Sequence, residues 1–183
     1  SGDPRMMRKV ELDAEVAKLL QEERDLINQQ ITIHRDLEKL PGQIEKISIK
    51  LQKHQVDKNR AVSVAGEKFS IIFNTNDGKT VRVIKRKAAG EYINAIARDL
   101  EIKAKYGTFS LGQFAGFDLS IVHDIGGCTI QLIGNAIYKA SVKKTPMGTI
   151  SALEHCVNSG INKELKQAEN QLQKLKQAEK DLS

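Results

Sequence analysis

The sequence contains no tryptophan, and aromatic residues fill only 4% of its 183 positions. So little aromatic volume argues against a large β-sandwich and suits helices packed by Leu and Ile. Proline occurs three times and cysteine twice. Two thiols cannot staple a disulfide scaffold, and Cys128 and Cys156 lack the paired ligand spacing of a zinc site. They read as free core thiols of a reducing, cytoplasmic protein, with a disulfide or metal site as the alternative. No apolar run approaches the roughly 20 residues that cross a bilayer, and the charged start lacks the apolar core of a secretion signal. Ser1 to Arg5 read as a cloning remnant ahead of Met6.

Enzyme motifs are also scarce. A phosphate-cradling loop needs Gly-Lys-Ser/Thr four residues after a first glycine, and Gly66-Glu67-Lys68-Phe69 has neither the adjacent Lys nor the hydroxyl. Gly126-Gly127 lacks the spaced third glycine of a dinucleotide fingerprint and reads as a turn. His34, His54, His123 and His155 lie in different segments without a neighbouring nucleophile motif, and read as surface or helix-face residues. No catalytic residue, metal ligand or cofactor is expected.

What is present is periodicity. Val16, Leu19, Leu20, Leu26, Ile27, Ile31, Leu37 and Leu40 recur at helical spacing, and Ile44, Ile47 and Leu51 continue the stripe. Pro41-Gly42 predicts a break within this helical arm of residues 6–60. From Thr145-Pro146, an N-cap and first helical residue, the stripe Ile150, Leu153, Val157, Ile161, Leu165, Ala168, Leu172, Leu175 and Leu182 makes residues 146–183 a coiled-coil helix. So narrow a seam needs a partner helix, either the N-terminal arm or a second copy.

Residues 61–145 change period. KFSIIFN (68–74) and TVRVI (80–84) flank Thr75-Asn76-Asp77-Gly78, a hairpin signature. Residues 86–104 return to helical spacing. Further strands follow at 109–111, 114–122, 128–133 and 136–142, with glycines at the bends. The predicted fold is α+β: a small antiparallel sheet of five or six strands plus one helix, inserted between long N- and C-terminal helices that pair as a coiled-coil-like stalk.

The net charge of +6 is uneven. Residues 61–107 hold 9 basic against 5 acidic side chains, whereas residues 150–183 hold 5 of each. Arg82, Lys85, Arg86 and Lys87 gather at a strand-to-helix junction, and Lys143 and Lys144 end the last strand. Such a rim can neutralise phosphates and release counterions. Phe109, Phe114, Phe117 and Tyr138 alternate with polar residues and read as core, with base stacking as the alternative.

The order Phe69 to Lys79, Arg86-Lys87-Ala88-Ala89-Gly90-Glu91, Gly112-Gln-Phe-Ala-Gly-Phe117, Leu132-Ile-Gly134 and a Leu-rich final helix resembles a known family. It is similar to the C-terminal region of large Swi/Snf-like helicase and adenine-N6 DNA methyltransferase fusion proteins of phages, plasmids and conjugative elements. Phe114 stands where that family often has Tyr, and Gly148-Thr-Ile150 where it has Gly-Asn-Ile. The resemblance implies a non-catalytic accessory domain, because neither a P-loop nor an Asn/Asp-Pro-Pro-aromatic methyltransferase motif is present. DNA is the expected partner, held sequence-independently by Arg82, Lys85, Arg86, Lys87, Lys143 and Lys144. The alternative is a protein-interaction module whose helices dock a parent-protein domain, another protein or a second copy. No membrane partner is expected.

Overall fold

The computed structural model describes residues 2–182. Its elements are α1 (Pro4–Ser63), a 3-10 turn (Gly66–Lys68), β1 (Ile71–Asn74), β2 (Thr80–Val83), α2 (Arg86–Ile102), β3 (Gly107–Phe114), β4 (Phe117–Asp124), β5 (Gly127–Ile133), β6 (Ile137–Ser141) and α3 (Pro146–Leu182). The α+β expectation holds: two long helices enclose, in chain order, a six-stranded antiparallel sheet and one helix. No helix among the described residues is long and apolar enough to cross a membrane. The chain forms two units, Ser48–Gln171 and the outer ends of the two long helices.

In the Ser48–Gln171 unit the strand order is β2-β1-β3-β4-β5-β6. Local turn chemistry sets the register. Gly78, at φ +78°, closes the β1–β2 loop, and the Asp77 carboxylate accepts from Thr75 Oγ1 and from Lys79 N–H. Those bonds hold Asp77 below the usual carboxylate range, Thr75 contributing most. Ala115 and Gly116, at φ +53° and +81°, join β3 to β4 as a two-residue hairpin turn closed by Phe114 opposite Phe117. Alternation then does the rest: Phe117, Leu119 and Ile121 on β4 and Ile130 and Leu132 on β5 are buried. The same core takes Ile93 and Ala97 from α2 and Leu153, Val157, Ile161 and Leu165 from α3. Asp118, Gln113 and Ile133 point away from it and are exposed.

Two polar devices fix the helices in this unit. Thr145 caps α3, its Oγ1 accepting from Gly148 N–H at 3.0 Å, as the Thr-Pro pair predicts. Asp57 of α1 is buried yet satisfied, accepting from Asn135 N–H at 3.2 Å and Asn135 Nδ2 at 3.0 Å. That pair ties the β5–β6 turn to α1. Gly90 of α2 admits the first residue of α3. A Cβ at Gly90 would lie 2.2 Å from the Pro146 carbonyl oxygen.

The predicted break at Pro41-Gly42 is absent, and α1 is helical throughout Pro4–Ser63. Proline removes one donor and leaves the Leu37 carbonyl without its intrahelical partner. Pro41 and Gly42 are both exposed, on the solvent side of the helix, while Leu40 is buried and Leu37 and Ile44 are half-buried on the apolar stripe. That stripe is a strict ladder: Leu12, Leu19, Leu26, Ile33, Leu40, Ile47, His54 and Ala61 follow at seven-residue intervals.

The stalk expectation is met over part of this ladder. In the unit made of the helix ends, Leu40 of α1 is buried, and Leu172, Leu175 and Ala178 of α3 are half-buried. At 1.5 Å per residue α1 is about 90 Å long and α3 about 55 Å. α3 therefore runs out, and the ladder from Leu12 to Ile33 is exposed.

Candidate nucleic-acid interface

β2 gives way to α2 at Lys85, whose extended backbone forms an N-cap without any side-chain hydrogen bond to the helix. The first turn of α2 holds no acid, and Lys85, Arg86 and Lys87 add their charges to the positive end of the helix dipole. This arrangement costs helix stability and builds positive potential.

The six basic residues expected to form one rim do not lie together. Arg86 is taken up internally. Its Nε donates to Glu154 Oε1 at 2.7 Å, another guanidinium nitrogen donates to the Gly66 carbonyl at 2.9 Å, and the group lies 4.8 Å from the centre of the Phe69 ring. Glu154 stands 68 residues away in sequence, so no local pattern reveals this pair. Arg82 is opposite Ile72 in the β1–β2 ladder, on the sheet face away from the core, where it lines a cleft with Arg60 of α1.

Lys143 and Lys144 occupy the β6–α3 connection, at the opposite sheet edge from β2. Two bonds hold the Lys143 backbone, and a third links the two side chains that make them. Asn94 Nδ2 donates to the Lys143 carbonyl at 3.1 Å, Lys143 N–H donates to Thr149 Oγ1 at 3.0 Å, and Thr149 Oγ1 donates to Asn94 Oδ1 at 2.7 Å. The two lysines line a cleft of about 410 Å³ with Arg98, Glu101, Gly127 and Ser141. Among the described residues no carboxylate lies within ion-pair distance of Arg98, Lys143 or Lys144.

Arg98 escaped the sequence reading, although a signal existed. Lys87, Glu91, Asn94 and Arg98 follow one another at three- and four-residue spacing and so share one face of α2. Lys87 and Arg98 are three turns apart, about 16 Å along the helix. Arg98, Lys143 and Lys144 thus line one cleft, Lys87 shares the Arg98 face of α2, and these four form the candidate ridge, with Arg82 and Arg86 outside it.

Base stacking has little support. Phe114, Phe117 and Tyr138 are buried in the core, and Phe109 is half-buried beneath Lys105 Nζ, 5.1 Å from the ring centre. Two of the histidines read as surface or helix-face residues, His123 and His54, are buried. His123 Nδ1 donates to the Lys105 carbonyl at 2.7 Å. His54 occupies a rung of the α1 ladder, with neither ring nitrogen hydrogen-bonded and Glu164 Oε2 3.7 Å away.

Both cysteines are free. Burial, then the Glu101 carboxylate, push the Cys128 thiol up, and burial takes Cys156 to about 11. Neither is an activated nucleophile. Among the described residues no group of three or more His, Cys, Asp or Glu is placed to hold a metal ion. No family model, curated protein or solved structure matches the chain.

Proposed function

We propose that this chain is a non-catalytic accessory domain of a DNA-processing protein of the helicase or methyltransferase type, and that it holds DNA by its phosphates. The observation that carries the reading is the ridge of Lys87, Arg98, Lys143 and Lys144, whose cleft cations have no carboxylate partner. Three cations converging on one cleft make a local positive field that the single acid there, Glu101, offsets only in part. The resemblance to the C-terminal region of helicase–methyltransferase fusions points the same way. Phe114, Phe117 and Tyr138 are buried and offer bases no stacking face, which favours backbone contact over base readout.

The test is fluorescence anisotropy with duplex and single-stranded DNA over a salt series. Four to five phosphate contacts predict a slope of log K against log salt of about −4. Replacing Arg98, Lys143 and Lys144 with Ala should shrink that slope by about 3 units, while Arg82→Ala leaves it unchanged. No binding at low salt would dismiss the reading, and a slope insensitive to the triple replacement would move the contact surface elsewhere.

A further inference from the structure

The apolar side chains of α1 from Met6 to Ile33 are 42–66% exposed. These are values of a helix with nothing beside it. Helices of this length gain most of their stability from packing an apolar face, and this face continues, in the same seven-residue register, the seam that buries Leu40. The occupant therefore fits as another helix in coiled-coil geometry.

The companion row of the heptad identifies that helix. It runs Lys9, Val16, Glu23, Gln30, Leu37, so two of its seam positions carry opposite charges fourteen residues apart. A parallel, in-register pair would set Lys9 on Lys9 and Glu23 on Glu23. An antiparallel pair reverses this. With the two-fold axis between Ala17 and Lys18, Val16 faces the partner's Leu19, and Lys9 comes within one turn of the partner's Glu23, twice by symmetry. In the adjacent layers Leu12 faces the partner's Glu23 and Leu26 the partner's Lys9, so each charged seam position packs its stem on a leucine. Glu15 and Glu22 meet along one exposed edge, a repulsion that salt screens.

We propose that residues 6–33 of α1 form an antiparallel coiled coil with the same residues of a second copy of this chain. The contact is isologous and closes, giving a dimer rather than a filament. It does not depend on the nucleic-acid reading, since it uses none of the ridge residues.

Light scattering and sedimentation of the whole chain between about 1 and 100 µM test it. The expected mass at the upper end is twice that of the monomer. Leu19→Glu puts two buried carboxylates beside the axis and should leave only monomer, while amide exchange in β4 and β5 shows the sheet unchanged. Lys9→Glu should raise the dissociation constant about tenfold, and Lys9→Glu with Glu23→Lys should restore it. A monomer at every concentration overturns the proposal, as does a dimer that survives Leu19→Glu. A double charge reversal that fails to restore pairing overturns the antiparallel arrangement.

Discussion

The two ends of α1 share one helix and one seven-residue ladder, yet one end is covered and the other bare. Leu40, His54 and Ala61 are buried, whereas Leu12, Leu19 and Leu26 stand at 42%, 57% and 60% exposure. Nothing in the apolar spacing distinguishes them. The difference lies in what the rest of the chain brings alongside, because α3 is about 23 residues shorter than α1 and meets its C-terminal part. Heptad spacing thus reports that a face needs a partner. Whether the partner is in the same chain is decided by element lengths and topology.

The largest expected effect contrasts the two situations directly. Leu165, on α3, belongs to the core, so it is no docking residue. Leu165→Ala should cost the Ser48–Gln171 unit about 3 kcal/mol, through lost transfer energy and the cavity left behind. Leu19→Ala should change the same unfolding transition by less than about 0.5 kcal/mol. Denaturant melts followed by amide exchange of the sheet separate the two. Equal effects would mean that the bare end is covered by its own chain.

Next comes the point where the covered part of the ladder begins. Pro41 lies inside α1 and forfeits one intrahelical bond. Pro41→Ala should stabilise the helix-end unit by about 2 kcal/mol, somewhat under the cost of proline at an unrelieved helix interior, because the freed Leu37 carbonyl can reach water. The check is amide protection across residues 38–46. An unchanged or lower protection would show that proline is needed there.

The elements were largely legible in the sequence. Turn glycines and the switch from period 3.6 to period 2 place all six strands and α2 within a few residues. Pro41 misled because a local penalty of a few kcal/mol was weighed without the cooperative helix on both sides. The candidate site was half legible. Lys143 and Lys144 were named from the sequence, but their neighbour Arg98 comes from an element 45 residues upstream, and Arg86 is claimed by a glutamate 68 residues downstream. Tertiary pairing decides which cations remain unmatched, and charge clustering along the chain does not encode it. His54 could have been found, since it occupies the rung after Ile47, where its ladder predicts burial.

The smallest effects sharpen why the covered end tolerates polar residues at all. His54, whose ring nitrogens make no hydrogen bond although Glu164 lies 3.7 Å from Nε2, and Tyr138, whose hydroxyl makes none, are buried polar groups that weaken rather than hold the unit. His54→Leu should stabilise it by about 1–2 kcal/mol, and Tyr138→Phe by about 1 kcal/mol or less at neutral pH. Burial first, then the Asp57 and Glu164 carboxylates, raise the Tyr138 hydroxyl to about 12 from its ordinary 10. The unfolded chain therefore loses this proton first as pH rises. Tyr138 leaves stability intact below pH 10 and drains it between pH 10 and about 12. Phenylalanine has no proton to lose, so the stability gap between Tyr138→Phe and the unaltered chain should widen across that window. Urea melts at pH 8, 10 and 11 measure the gap. A constant gap would show that the hydroxyl titrates as freely in the folded protein as in the unfolded one, and that water reaches this part of the core.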